Sequence, residues 1–203
     1  MKDDDLRFGP LTSRSIHLCI DMQMLFAPGA VWATPWMAKV LPVVLAIADR
    51  HVERTVFTRF IPPLRAENMP GTWRRFYDRW RDVVRSTIDP ECLELMPALR
   101  RMVPPAEVID RPGYSGFTTP MLSRRLQERN ADALVITGAE SDVCVLATAL
   151  SAVDRGYRVV LVTDAICSSS DAGHDAILDL YRGRFTLQIE TATAERVLAG
   201  WRD

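Results

Sequence analysis

The chain has 203 residues, 25 Lys+Arg against 26 Asp+Glu, 48% hydrophobic and 25% charged residues. That balance leaves no global basic field to attract nucleic acid, and the composition is that of a globular protein rather than a disordered, collagenous or coiled-coil one. Cys19, Cys92, Cys144 and Cys167 form no CxxC pair, which argues against a disulfide framework or a zinc site.

The opening MKDDDLRFGPLTSRS is acidic and without an apolar stretch, so no leader peptide is expected there. No run approaches the ~18 apolar residues of a membrane span. The expectation is a cytoplasmic protein with no membrane or nucleic-acid partner, folded as one domain over residues 1–203, with no linker or internal repeat.

In chain order, Ser15–Met22 reads as a first strand and Pro35–Arg50 as a helix with Pro42 a distortion. Val52–Phe60 reads as a second strand. Trp73, Phe76, Tyr77, Trp80 and Val84 fall on one helical stripe within Gly71–Arg85, and Cys92, Leu95, Met96, Leu99 and Val103 on another. Glu107–Arg111 reads as a third strand. Thr118-Thr119-Pro120 starts a helix over Met121–Arg129. Ala133–Gly138 is a fourth strand, and Asp142–Arg155 a helix apolar nearly all round, stopped by Gly156. Arg158–Asp164 is a fifth strand, Asp171 caps a helix through Tyr181, and Phe185–Thr191 is a sixth strand. This alternation predicts an α/β fold, a doubly wound sandwich whose six-stranded, mainly parallel sheet is flanked by helices on both faces.

Ligands of such sheets gather beyond the carboxyl ends of the strands, at the switch in winding order. Asp21, Arg59 and Arg111 stand at the ends of strands one, two and three, and strand four runs into Gly138–Cys144. An acid, two guanidinium groups and a thiol can therefore converge. No strand leads into a glycine-rich phosphate loop. Cys144, in the first turn of its helix, is placed where backbone N–H groups and the macrodipole favour a thiolate, and a nearby carboxylate can take its proton. The same position also suits a plain core cysteine.

The segment VIDRPGYSGF, the later GAESDVCVLATALSAVDRGYRVVLVTDA and the opening IDMQMLF (Ile20–Phe26) together resemble the isochorismatase-like cysteine hydrolases, a superfamily that includes nicotinamidase and N-carbamoylsarcosine amidohydrolase. The resemblance runs from about Ser15 to Ile189. It implies a triad of Asp21 as general acid/base, Cys144 as nucleophile and, where the family has a lysine, Arg111. It also implies a cis peptide between Ala139 and Glu140, and an oxyanion hole formed by the N–H groups of Glu140 and Cys144. Arg111 can align Asp21 through a bidentate contact but cannot shuttle protons.

Nicotinamidases of the superfamily carry Asp-x-His after strand two. Here Thr58–Leu64 holds neither residue, and His17 and His51 fall at strand starts, so no metal and no cofactor is expected. Arg59, Phe60, Trp73 and Phe117 are expected around a small amide, ureido or carbamoyl substrate, with Arg59 either meeting a substrate carboxylate or pairing structurally. His174 reads as a structural hydrogen-bonding residue, Gln23 as a support for the Asp21 loop, and Cys167 as bordering the pocket entrance. The family forms homodimers and homotetramers, and the aromatic helix after Gly71 is a possible cap or subunit contact. The expected activity is metal-independent hydrolysis of a C–N bond through a Cys144 thioester. The alternative is a binding protein of the same fold, weakened in catalysis by the arginine at position 111.

Overall fold

A computed structural model describes residues 6–202; residues 1–5 and 203, counted in the expected domain and leader-free start, lie outside the described residues. Six strands, β1 (Ile16–Ile20), β2 (Thr55–Phe60), β3 (Glu107–Arg111), β4 (Ala133–Ala139), β5 (Arg158–Cys167) and β6 (Ile189–Ala192), form one sheet in the order β3-β2-β1-β4-β5-β6. Every neighbouring pair is parallel. The winding reverses between β1 and β4, so a crevice opens beyond their carboxyl ends.

Residues two apart on a strand share a face, and here they sort into two cores. Ile16, Leu18 and Ile20 of β1 pack with Leu134, Ile136, Val159 and Leu161 against α4 (Pro120–Glu128), α5 (Leu146–Val153) and α6 (Asp171–Gly183). Cys19, Val135, Val160 and Val162 face the opposite layer of α1 (Met37–Arg50), α2 (Gly71–Arg79), α3 (Pro97–Arg100) and α7 (Ala194–Gly200). No helix among the described residues is long and apolar enough to cross a membrane.

Several elements depart from their sequence reading, each for a physical reason. The apolar stripe Cys92–Val103 is not one helix. Asp89 caps a 3-10 turn over Pro90–Leu93 by accepting from the Glu91 N–H at 2.9 Å, and the following residues run extended beside the chain after β1. There Met24 N–H donates to the Glu94 carbonyl at 2.9 Å and Met96 N–H to the Met22 carbonyl at 2.8 Å. Pro97 then holds Met96 out of the helical region, so helix resumes only for the short α3.

α2 likewise ends at Arg79, because Trp80 leaves helical geometry and its indole packs 5.8 Å from Trp32. Val52–Arg54 is a 3-10 turn, which shortens β2. β5 runs on to Cys167, with a register shift against β4 between Ile136 and Gly138. β6 begins only at Ile189, and α7, which carried no sequence signal we used, closes the α1 layer. Ser170 rather than Asp171 caps α6, accepting from Gly173 N–H at 3.0 Å. Pro42 lies inside α1 without ending it. The face of α5 carrying Thr148, Ala149 and Ala152 is buried, and Leu146, Leu150 and Val153 are only partly so.

Candidate active site

Three strand ends converge at the crevice. Asp21, the first residue after β1, adopts φ +48°, a left-handed conformation that Asp tolerates better than most residues. Across from it, Gly138 of β4 has φ +105°, and a Cβ there would stand 2.0 Å from the Ile20 carbonyl oxygen. Only glycine lets β4 press so closely on the residue before Asp21. β4 then passes through a cis Ala139–Glu140 peptide into a wide π-type turn, Ser141–Val145, which holds Cys144 and runs into α5. Arg111 ends β3, one strand beyond β2, and is in register with Phe60. Its guanidinium crosses over the Phe60 ring, 5.4 Å from the centroid, to reach the end of β1. That path spans two strand spacings, about 10 Å, which only a long side chain covers.

Asp21, Arg111 and Cys144 are 0%, 1% and 5% exposed. Arg111 Nη2 donates to Asp21 Oδ2, and its Nη1 donates to the Gly113 carbonyl. The contact with Asp21 is thus single-armed rather than the bidentate fork expected, because the chain turn at Gly113 takes the second arm. Thr58 Oγ1 donates to Asp21 Oδ1 at 2.7 Å. The Cys144 thiol stands beside both side chains, close enough for each to act on its ionisation. Gln23 locks the loop: its amide donates to the carbonyls of Phe60 (3.1 Å) and Leu93 (2.8 Å) and accepts from the Phe60 N–H at 2.7 Å.

Burial dominates the electrostatics. It raises the Asp21 carboxyl, against the opposing pull of Arg111 and the hydrogen bond from Thr58. It also pushes the Cys144 thiol up to about 12, reinforced by the Asp21 charge and opposed by Arg111. The thiolate expected from a helix-start position is therefore corrected: desolvation outweighs the helix end, and the sulfur rests as a thiol beside the Asp21 carboxyl.

Cys144 opens into a cavity of about 400 Å³ walled by Phe26, Val31, Trp32, Ala33, Phe60, Phe76, Trp80, Tyr114 and Val143, with Glu140 and Ser169 as its polar members. Of the substrate-contact candidates, Phe60 lines it. Trp73 stands behind the wall, 4.7 Å from the Tyr114 ring and 5.5 Å from Phe76. Phe117 does not line it; its ring stacks on Tyr157 at 6.3 Å under the Arg155 guanidinium.

Arg59 does not line it either. It is in register with Asp110, which it grips with two bonds (2.7 and 3.0 Å), while Nη1 pairs with Glu94 at 2.8 Å. Its fork is fully occupied by structural partners, so it meets no substrate carboxylate.

Trp32, Phe26 and Thr58 were missed. The first sits in irregular chain and the second in a single 3-10 turn after β1, where no periodicity marks an inward side. Of the α2 aromatics Phe76 lines the cavity, Trp73 is half-buried behind it and Tyr77 is buried.

His174 Nδ1 lies 2.9 Å from Ser141 Oγ, a structural bond. Cys167 is buried and borders a separate cavity with Trp36 and His174. Among the described residues no group of three or more His, Cys, Asp or Glu could hold a metal, so the side chains present do not supply a metal-binding donor set.

This constellation on a 3-2-1-4-5-6 sheet defines a cysteine-centred α/β site. A family model described as the isochorismatase domain matches residues 15–193, and the chain belongs to that family. Nicotinamidase 3 of Arabidopsis thaliana is 26% identical over 185 residues, 90% of this chain and 88% of that protein. Maleamate amidohydrolase of Pseudomonas putida is 24% identical, over 76% of this chain and 68% of that protein. The chain spans less than half the length of several other curated relatives, at 44%. A solved cysteine hydrolase from Pseudomonas syringae pv. phaseolicola shares the fold with TM-score 0.76 at 21% identity, over 98% of this chain and 100% of that one.

Proposed function

We propose that this chain is a cysteine amidohydrolase that cleaves the C–N bond of a small amide through a thioester on Cys144. The observation that carries this reading is the buried grouping of the Cys144 thiol with a carboxylate that is itself held by a fixed cation, where Cys144 opens into an aromatic-walled cavity.

As Cys144 Sγ bonds to the substrate carbonyl carbon, Asp21 takes the thiol proton. The oxyanion forms toward the N–H groups of Glu140, just before the turn leading into α5, and of Cys144, near the end of that turn; such donors contribute about 3 kcal/mol each. Collapse breaks the C–N bond, and Asp21 returns its proton to the departing nitrogen, giving ammonia or an amine and the thioester. Water then attacks while Asp21 accepts its proton. The C–S bond breaks, the carboxylic acid is released, and Asp21 returns that proton to the departing sulfur, restoring the thiol. Arg111 stays charged throughout and positions Asp21; it moves no proton. No step runs through a metal.

With no cation lining the cavity among the described residues, the acyl group is not read through a carboxylate. Acid quenching during turnover of a small amide, followed by mass spectrometry, tests the scheme. A mass increase equal to the acyl group, confined to the peptide carrying Cys144, is expected. Turnover with no such adduct in either steady-state or burst sampling contradicts it.

A further inference from the structure

The cavity wall is an aromatic box with a single charge. Trp32 stands at its centre, with the rings of Phe60, Phe76 and Trp80 at 6.0, 5.7 and 5.8 Å, and the Trp32–Trp80 planes cross at 84°. Tyr114 closes another side. The one carboxylate on the wall belongs to Glu140, whose Oε1 accepts from the Ser169 N–H at 2.9 Å and is thereby fixed at the cavity. No Lys, Arg or His lines the space among the described residues. Arg111 does lie against Phe60, but its charge is offset by Asp21, with which it is paired. The uncompensated field in the cavity is therefore that of Glu140 together with the negative faces of the rings.

A carboxylate on the substrate meets repulsion there and no partner. A neutral apolar group satisfies the rings and leaves the Glu140 charge facing it. A methylated ammonium satisfies both, since it is apolar on its surface, needs no hydrogen bond, and is attracted to ring faces and to an acid. Resting on the amidohydrolase reading, we propose that the preferred substrate is a small amide whose acyl group carries an alkylated ammonium, seated in the box of Trp32, Phe76, Trp80 and Tyr114 against Glu140.

Three near-isosteric amides test this: trimethylammonioacetamide, 3,3-dimethylbutanamide and malonamate, which place a cation, a neutral group and an anion at the same distance from the amide. Ammonia release should give kcat/KM at least about tenfold higher for the cation than for the neutral amide, with malonamate lowest. In Glu140→Gln the cation-to-neutral ratio should fall by about tenfold. Independently of turnover, tetramethylammonium should quench the tryptophan fluorescence of the wild type saturably, and more weakly in Glu140→Gln. A neutral amide turned over as well as the cation, or better, overturns the proposal while leaving the amidohydrolase intact. If none of the three amides is hydrolysed, the hydrolase reading is what fails on this panel, and the fluorescence titration still decides the cation site: saturable quenching supports it and none overturns it.

Discussion

Arg111 reaches across the full width of β2 to donate to the Asp21 carboxylate, and both side chains are completely buried. An ion pair out of water is held together by mutual need: removing one partner leaves an uncompensated charge and costs about 3–5 kcal/mol. Its second arm, on the Gly113 carbonyl, fixes the approach angle. Arg111→Met should therefore destabilise the fold by about 3–5 kcal/mol in urea unfolding and abolish turnover. Arg111→Lys keeps the charge and should retain turnover within about tenfold, with a lower unfolding midpoint from loss of the second arm. Inactivity of the lysine variant in a stable fold would show that the fork, not the charge, is what Asp21 requires.

The pH profile follows from Asp21 and Cys144. In the proposed mechanism Asp21 must be ionised to take the proton, and burial raises its carboxyl above the ordinary value of 3.8. kcat/KM should rise with pH through an acid limb lying above that value. It should then stay level across neutral pH, because the thiol it deprotonates is pushed up to about 12. Iodoacetamide labelling of Cys144 should likewise be slow at pH 7 and speed up only at alkaline pH. A labelling midpoint below about 8.5, the value of a free cysteine, contradicts the electrostatic account.

Gly138 sets the distance between the two halves of the site. With the Ile20 carbonyl oxygen 2.0 Å from the place a Cβ would take, and with φ at +105°, Gly138→Ala must push β4 away from β1. We expect a loss of more than about 2 kcal/mol in stability and a near-complete loss of turnover. Gly156, also at positive φ but with open space around it, should tolerate alanine with turnover unchanged. Equal effects at the two positions would mean that conformation, rather than close approach, is the constraint.

His17 gives the fold an acid sensitivity. It is bonded to Thr55 and Thr137 on the two neighbouring strands, and burial, then His51, lower its pKa from 6.5 to about 3. The unfolded chain takes up this proton first. The contribution is therefore complete above about pH 6.5 and lost as pH falls toward 3, at up to about 1.4 kcal/mol per pH unit. The stability difference between wild type and His17→Gln should shrink steadily from pH 7 to pH 4. A constant difference would contradict the assignment.

The sheet and the residues at its strand ends were legible because buried parallel strands announce themselves as Val/Ile/Leu runs, and chemistry collects where they stop. Asp21, Arg111 and Cys144 could be read from that rule together with the family motifs. Of the cavity wall, Phe60 could be placed in advance and most of the rest could not. Phe26 ends a short 3-10 turn and Trp32 lies in irregular chain after β1, and Trp80 enters only because α2 breaks before it. Of the two readings open for Arg59 the structural pairing is the one found, and sequence could not choose between them because its partner Asp110 belongs to the next strand in space and is distant in sequence. The resting charge of Cys144 was misjudged for a related reason. A helix start is visible in sequence, but the depth of burial that overrides it is a property of the assembled fold.

The most direct test of the central claim is ammonia release from a panel of small amides, neutral and cationic, by the wild type and by Cys144→Ala at matched stability. The account predicts release by the wild type and none above background by the variant. Release undiminished in Cys144→Ala would mean that the buried thiol is not the nucleophile.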